Sequence, residues 1–326
     1  MAMNSLTIPQ TIEYLNGRDR FLILTHVRPD GDAHGSAAAF AMLLRKMGKT
    51  AYVLENPETT EKFLPLIRPF WAPAGYVPDT VVSVDLASES LFPENASAYL
   101  GKTALSIDHH PSNTGYAGRT LADGSLASCG ELILELFDAS GHEIGREEAE
   151  ALYIAVSTDT GCFCYSNTSA NAFRAAGRFA EAGIDISGLN RVLFRTKRRT
   201  RITLEGMIYA GIEYHSGGKT AVITITKDMM EKSGCTEDDM DDIASIPGGI
   251  EGVDCGITLR ELTAPDDCKV SVRTSGGISA NALCSVLGGG GHAMAAGASP
   301  KGMTTEQMKR ILLSELEKIR DGTVGA

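Results

Sequence analysis

Residues 21–36 read FLILTHVRPDGDAHGS, and the fold prediction starts from this stretch. The apolar run 21–27 predicts a short buried strand. A polar loop, RPDGD, follows it, and residues 35–47 (GSAAAFAMLLRKM) have the composition of a helix. A strand, a polar loop and a helix in this order form the first part of a βαβ unit.

The same alternation continues through the first half of the chain. Further strands are predicted at 51–54, 80–86 and 103–107, and further helices at 126–139, 147–157 and 168–182. Strands separated by helices predict an α/β fold with a parallel sheet. In such sheets ligands bind beyond the carboxyl ends of the strands, so polar residues at those ends are the first candidates for a site.

The second half has a different pattern. Residues 220–226, 253–262 and 269–274 alternate as strands do, and a helix is predicted at about 304–320. This predicts a smaller α+β domain. Between the halves, residues 188–210 are rich in arginine and lysine and predict a helical linker, whose basic residues fit either a solvated hinge or an RNA contact. The predicted division is therefore a catalytic domain at 1–187, a linker at 188–210 and a substrate-binding domain at 211–326.

Composition excludes several classes of protein. The 326 residues carry a formal net charge of −11, which argues against a protein that coats long nucleic acid, because such binding needs many basic side chains. We see no apolar run of about 18 residues and no secretory signal pattern, so no membrane partner is expected. The seven cysteines form no CxxC pair and are expected to be reduced thiols of a cytoplasmic protein.

Polar side chains that bind metals occur in four short clusters. They are His26, Asp30 and Asp32 in the first loop, Asp85 after the third strand, Asp108, His109 and His110 after the fourth, and Asp159 between two predicted helices. Each cluster alone also fits an ordinary turn or helix cap. Together they offer carboxylates and imidazoles without thiolates, a donor set that suits Mn²⁺ or Mg²⁺. The sequence therefore predicts a site for two such ions, which activate a bridging water for attack on phosphorus.

Four motifs carry a resemblance to a known family. HVRPDGDAHGS, VSVDL, IDHHPSN and STDTGCF, in this order, resemble the motifs of the DHH (RecJ-like) phosphoesterase family. SVRT at 271–274 and GGGGHAMAAG at 288–297 resemble the substrate-binding domain associated with it. The branch that the chain resembles most is that of bacterial nanoRNases and 3′,5′-bisphosphonucleotide (pAp) phosphatases.

The resemblance implies roles for individual residues. Metal ligands would be His26 and Asp30 for one ion, Asp32, His109 and Asp159 for the other, and Asp85 as the bridge between them. His110 would contact the scissile phosphate and assist the leaving oxygen, so His110 and Asp85 are the predicted catalytic residues. The cofactor would be two Mn²⁺ ions, with Mg²⁺ as the alternative. The attacking group would be a hydroxide that bridges the two ions.

The resemblance also implies how substrate is held. The predicted substrate-binding residues are Arg273, Thr274, Gly289, Gly290, Gly291 and His292. A site in a cleft between the domains would admit only a short RNA or a small nucleotide. A homodimer is one option for the assembly. His34, where relatives often carry an apolar residue, is expected at the surface of its helix, with a position just outside the metal ligands as the alternative.

Two alternative functions follow from the same residues. One is a soluble phosphodiesterase of cyclic or linear dinucleotides, which uses the same metal site. The other is a nucleotide-binding module without activity. All six ligand positions and His110 are filled, which favours an enzyme.

Overall fold

The computed structural model of this chain describes residues 4–240, 242–262, 267–275 and 277–322. The chain divides into two compact units, Met1–Thr196 (unit 1) and Lys197–Ala326 (unit 2). Within the described ranges, no helix combines the length and the hydropathy that a membrane span requires.

Unit 1 is built on a five-stranded sheet. Its strands are β1 (Phe21–Leu24), β2 (Ala51–Val53), β3 (Thr80–Val84), β4 (Leu105–Asp108) and β5 (Thr120–Ala122). Their order is β2-β1-β3-β4-β5, and every neighbouring pair is parallel. The prediction of an α/β fold with a parallel sheet is confirmed. The strand β5 was not predicted from the sequence.

The helices of unit 1 pack against this sheet around one main apolar core. They are α1 (Ile8–Asn16), α2 (Gly31–Lys46), α3 (Leu64–Ile67), α4 (Cys129–Ser140), α5 (Arg146–Asp159), α6 (Ala170–Glu181) and α7 (Ile186–Asn190). Phe40 from α2, Phe137 from α4 and Phe179 from α6 are all fully buried in that core. Burial of each such ring away from water stabilises the fold by about 2–3 kcal/mol.

The first turn of α2 and the last turn of α5 differ from the prediction, and both differences involve aspartates. α2 begins at Gly31 rather than at residue 35, because Asp30 caps it: its Oδ1 accepts the N–H of Ala33 at 3.0 Å. α5 extends to Asp159, which was predicted to lie between helices. The aspartates are thus fixed to rigid helix ends instead of a loop.

The helices α2 and α5 pack unusually close together at Gly35. A Cβ atom at this position would lie 2.3 Å from the carbonyl oxygen of Ala151 and 2.8 Å from the amide nitrogen of Ala155. Only glycine permits this approach. The contact holds the start of α2 beside the end of α5, which carries Asp159.

Unit 2 contains a six-stranded mixed sheet. Its strands are β6 (Glu213–His215), β7 (Thr220–Ile225), β8 (Cys255–Glu261), β9 (Cys268–Thr274), β10 (Gly290–Gly291) and β11 (Ala295–Ala298). The order is β10-β11-β9-β8-β7-β6, and β7–β8 is the parallel pair. The helices are α8 (Arg199–Ala210), α9 (Lys227–Ser233), α10 (Ala280–Ser285) and α11 (Thr305–Arg320). The predicted α+β character of the second half is confirmed.

The basic segment predicted as a linker is helical over most of its length. After α7 comes a π-helical turn, Arg191–Arg195, and α8 follows within unit 2. Some of the positive charge is neutralised locally, since Glu205 accepts from Arg201 at 2.7 Å and from Lys197 at 2.8 Å. The limits of the linker at 188 and 210 stay a prediction.

None of the seven cysteines, all of which lie in the described ranges, forms a disulfide. Four of them, Cys129, Cys255, Cys268 and Cys284, are buried and pack as small apolar side chains. Cys162 is partly exposed and Cys164 is exposed, so these two do not serve as core residues.

Candidate metal centre

Three of the predicted site segments lie where strands end. His26 comes two residues after β1, Asp85 directly follows β3, and Asp108 is the last residue of β4. Because these three strands are parallel neighbours, their carboxyl ends meet at one edge of the sheet. The two histidines after Asp108 reach the same edge.

The first group of ligand atoms comprises His26, Asp30 and Asp85. One donor atom from each lies within 4.8 Å of the others. The Nε2 atom of His26 is 3.9 Å from Asp30 Oδ1 and 3.7 Å from Asp85 Oδ2. The Nδ1 atom of His26 lies 2.7 Å from the carbonyl oxygen of Val27. A carbonyl only accepts, so Nδ1 carries the proton and Nε2 presents a lone pair to the site.

The second group comprises Asp32, His109 and Asp159. The Nε2 atom of His109 is 3.6 Å from Asp32 Oδ2 and 3.2 Å from Asp159 Oδ2. Its Nδ1 lies 3.3 Å from the carbonyl oxygen of Leu126, which again turns Nε2 inward. The same Nε2 is 3.5 Å from Asp85 Oδ1, so Asp85 borders both groups.

Asp32 is held by hydrogen bonds that the sequence analysis did not foresee. Its two carboxylate oxygens accept the N–H groups of Cys129 at 2.6 Å and Gly130 at 3.1 Å, at the N-terminus of α4. The Ser36 hydroxyl donates to Oδ1 at 2.7 Å. The positive end of a helix and three donors fix the orientation of this buried carboxylate. No local pattern predicts a partner almost one hundred residues away.

Like charges crowd the centre. Burial, together with the charges on Asp32, Asp30 and Asp159, raises the pKa of Asp85 well above its usual range. Burial and the charge on Asp159 do the same to the pKa of Asp32. Burial disfavours a charged His109, but the carboxylates of Asp159 and Asp32 outweigh it and raise its pKa to about 9. All three pKa shifts indicate a site that lacks positive charge to balance its carboxylates.

Two buried polar atoms at the centre lack a hydrogen-bond partner among the described residues, namely Asp85 Oδ1 and His109 Nε2. Buried polar atoms normally have a hydrogen-bond partner, so two buried atoms without one require an explanation. Asp85 also adopts a left-handed backbone conformation (φ 55°), which costs a non-glycine residue on the order of 1 kcal/mol or more. Divalent cations fit these observations, because carboxylate oxygens and imidazole nitrogens are their donors and their charge offsets the crowding.

His110 has a different environment from His109. Its Nδ1 donates to Asp108 Oδ1 at 2.8 Å, and 42% of its side chain is exposed. Asn113 donates to the other oxygen of Asp108 at 2.6 Å. Burial opposes ionisation of Asp108, but the hydrogen bonds from His110 and Asn113 outweigh it and hold the pKa of this carboxyl below its usual value. Asp108 thereby orients the ring of His110, so that Nε2 remains for a ligand.

The interpretation of His34 as a surface residue is wrong. Its side chain is 1% exposed, and its ring lies 5.2 Å from that of Phe63. Burial lowers its pKa to about 4, so the ring is neutral at pH 7. The wrong prediction arose because the helix starts earlier than expected, and almost all of α2 is buried.

In unit 2, Arg273 and Thr274 end the strand β9. Arg273 is half-buried and lines a cavity of about 290 Å³ together with Gly248, Gly249 and Ser275. The Thr274 hydroxyl lies 2.7 Å from the carbonyl oxygen of Ile278, to which it donates its proton. In this conformation the hydroxyl proton of Thr274 is used in a hydrogen bond within unit 2, and the phosphate-binding role of Thr274 stays a prediction.

Close packing requires glycine at two positions of the glycine-rich motif 288–291. A Cβ at Gly289 would lie 2.2 Å from the carbonyl oxygen of Gly297, and one at Gly291 would lie 2.6 Å from that of Ala295. The N–H groups of Gly289 and Gly291 already donate, to Cys284 O and Asn281 Oδ1, both at 3.0 Å.

Gly290 and His292 of the same motif are exposed. The phosphate-binding role of the Gly289–Gly291 backbone and of His292 stays a prediction.

Comparisons with known proteins agree with this architecture. The model of the DHH family N-terminal domain matches residues 20–156, and the model of the DHHA1 domain matches residues 217–319. A Thermus thermophilus protein named bifunctional oligoribonuclease and PAP phosphatase NrnA is 32% identical over 91% of this chain and 89% of its own length.

Solved structures are similar too. An exopolyphosphatase-related protein of Bacteroides fragilis has a TM-score of 0.86 at 24% identity, with 96% of both chains covered. Thermus thermophilus RecJ in complex with Mn²⁺ has a TM-score of 0.57 at 13% identity, covering 95% of this chain and 55% of RecJ. At these identities the two structures show the shared fold. The family models and the 32% identical relative lead to one conclusion: the chain belongs to the DHH phosphoesterase family.

Proposed function

We propose that this protein hydrolyses very short oligoribonucleotides and pAp, with two Mn²⁺ ions as its cofactor. The observation that carries the proposal is the pair of adjoining ligand groups that meet at Asp85. The substrate class follows the relative of 32% identity, which is named as an oligoribonuclease and PAP phosphatase.

The metal ligands proposed are those of the two groups. His26 and Asp30 would hold one ion, Asp32, His109 and Asp159 the other, and Asp85 would contact both. When bound, such a pair of ions supplies positive charge for the phosphate oxygens and lowers the pKa of a water. The residues of the chain contribute orientation: the carbonyl partners of His26 and His109 aim both Nε2 atoms inward, and the N-terminus of α4 fixes Asp32.

His110 is proposed to contact the scissile phosphate and to give a proton to the leaving oxygen. Its Nδ1 is occupied by Asp108, so Nε2 is the atom that faces a ligand. A positioned acid of this kind contributes about 10²–10⁴-fold to a rate.

Arg273 is proposed to bind a phosphate at the non-reacting end of the substrate. The guanidinium can grip phosphate through two parallel N–H groups, and the cavity of about 290 Å³ beside it has room for part of a nucleotide. The net charge of −11 supplies little long-range attraction for a long polyanion, which favours short substrates.

The test is a hydrolysis panel of pAp, RNA dimers to pentamers, an RNA 24-mer and linear and cyclic di-AMP, measured with Mn²⁺ and after chelation. We expect Mn²⁺-dependent turnover of pAp and of the short RNAs, and a much lower kcat/KM on the 24-mer. Elemental analysis after Mn²⁺ loading and gel filtration should give about two ions per chain. Equal rates on all lengths, or full activity after chelation, would contradict the proposal.

A further inference from the structure

The loop that leaves the metal centre after Asp159 carries aromatic side chains that the roles above do not use. Phe163 and Tyr165 lie in this loop, and Phe173 lies on the first turn of α6. These three residues are called the aromatic surface. The rings of Phe163 and Phe173 are stacked, with centroids 5.5 Å apart and an interplanar angle of 25°.

The aromatic surface is exposed although it is apolar. Phe173 is 58% exposed and Tyr165 is 53% exposed. Phe163 anchors the surface, because its ring also packs at 6.1 Å from that of Tyr153 in the core of unit 1. Large exposed aromatic rings beside a catalytic centre mark a binding surface rather than a folding requirement.

The backbone of the loop is held in an unusual conformation. Gly161, Cys162 and Phe163 are consecutive residues with positive φ (55°, 56° and 65°). Thr160 holds this turn through three hydrogen bonds. Its hydroxyl accepts the N–H of Phe163 at 3.1 Å, and its carbonyl oxygen accepts the N–H groups of Cys164 and Tyr165 at 2.9 and 3.0 Å. Left-handed conformations of two non-glycine residues in a row are costly and persist where the surroundings enforce them, often at functional sites.

The loop is attached directly to the metal centre. The Asn167 side chain donates to the carbonyl oxygen of Asp159 at 3.0 Å and to that of Ala127 at 3.3 Å. The N–H of Cys162 donates to the carbonyl oxygen of Ser157 at 2.7 Å, in the last turn of α5. The aromatic surface therefore has a fixed place beside Asp159, within unit 1.

Positive charge lies next to the same loop. Burial raises the pKa of Cys162, and the nearby guanidinium of Arg195 opposes that rise. Arg195 is exposed and belongs to the π-helical turn that follows Asn190. The Asn190 side chain accepts a hydrogen bond from the Tyr153 hydroxyl at 2.8 Å. Exposed aromatic rings with an adjacent arginine are the combination by which proteins bind single-stranded nucleic acid.

We propose that the aromatic surface stacks on a nucleobase of the substrate, with Arg195 beside it for a phosphate of the same strand. This inference rests on the proposed function. It adds that the nucleobase is the part of the substrate that the protein contacts next to the metals. The occupant is a nucleobase rather than a protein partner, because the surface comprises three side chains, its loop is hydrogen-bonded to Asp159, and the guanidinium of Arg195 interacts with Cys162 of the same loop. Stacking tolerates any base, which suits an enzyme that degrades short RNAs of every sequence.

The test compares Phe173→Ala with wild type on two substrates, pAp and ribose 3′,5′-bisphosphate, which is pAp without its base. We expect KM for pAp to rise roughly five- to 150-fold, the range of base–aromatic stacking. KM for the base-free compound should stay unchanged, and Phe173→Tyr should restore the wild-type value for pAp. The matched control is Tyr209→Ala, which removes a similarly exposed aromatic ring from a helix of unit 2.

Equilibrium binding of pAp, measured in a His110→Ala background with Mn²⁺, should weaken by the same factor in Phe173→Ala. An equal change for both substrates, or none for pAp, would overturn the inference while leaving the proposed function intact. A wild type that neither binds nor hydrolyses pAp would overturn both. A change in oligomeric mass with unchanged pAp affinity would show that the surface binds a second copy instead.

Discussion

Replacement of Asp85 by asparagine should stabilise the metal-free protein while abolishing its response to Mn²⁺. Asp85 is 2% exposed, and its pKa is raised by burial and by the charges on Asp32, Asp30 and Asp159. The folded state therefore holds a proton on Asp85 more tightly than the unfolded state does. Such a group lowers stability as pH rises above the ordinary aspartate pKa, and it continues to do so until the folded pKa is passed.

The size of the effect follows from proton linkage. One proton held in the folded state and released on unfolding costs at most about 1.4 kcal/mol per pH unit. Asparagine cannot ionise and avoids this cost, so metal-free Asp85→Asn should lose less stability than wild type between pH 6 and pH 8. Mn²⁺ at 100 times its dissociation constant should stabilise wild type by about 2.7 kcal/mol per site. For a unit the size of Met1–Thr196 this corresponds to a rise in Tm of about 5–11 °C.

Thermal unfolding with and without Mn²⁺, at pH 6, 7 and 8, measures both effects. The control is Asp138→Asn, which removes an exposed carboxylate paired with Arg178 in the same unit and should change stability by less than about 1 kcal/mol. Activity of Asp85→Asn should fall by more than the 10–100-fold typical of residues that only support a ligand. A metal-free variant less stable than wild type at pH 8, or an equal Tm rise with Mn²⁺ in both proteins, would refute this reasoning.

Three further predictions concern other parts of the site. His110→Ala should keep its Mn²⁺ but lose about 10²–10⁴-fold in kcat, whereas His109→Ala should lose its metal. Elemental analysis together with kinetics separates the two histidines, and an equal loss of metal in both variants would contradict the assignment. Gly35→Ala should destabilise the protein by about 1–3 kcal/mol in urea unfolding, because the added methyl group forces α2 from α5. Arg273→Ala should raise KM for pAp roughly tenfold or more and leave a small chromogenic phosphodiester unaffected; an unchanged KM for pAp would remove Arg273 from the substrate site.

The sheet of unit 1 could be predicted because the pattern that specifies it is local. Each long strand is an apolar run with a polar residue at its end, and in a parallel sheet these ends meet at one edge. His26, Asp85 and His109 could be placed together for that reason alone. The pairing of the aspartates into two groups could be inferred from the family resemblance only, since a motif does not show which side chains converge in space.

The failures have a common physical origin in packing between distant segments. His34 was expected at the surface, but α2 starts at Gly31 and is enclosed by other elements along most of its length. The hydrogen bonds from Cys129 and Gly130 to Asp32 join segments far apart in the chain. Helix caps can be recognised from sequence when the capping side chain and the backbone N–H that donates to it are neighbours in the chain. A helix N-terminus that binds a carboxylate of another helix leaves no such signature.

The centre combines several features that oppose folding, so the elements around it must hold its side chains in place. Asp85 has a left-handed backbone, its Oδ1 and His109 Nε2 have no hydrogen-bond partner among the described residues, and carboxylates crowd around both. A flexible scaffold would relax by moving the carboxylates apart. The close contact at Gly35 and the hydrogen bonds from the α4 N-terminus oppose that movement, so the metal-free fold keeps this unfavourable energy. The proposed pair of cations would offset both groups that meet at Asp85, whereas a single cation would offset one of them.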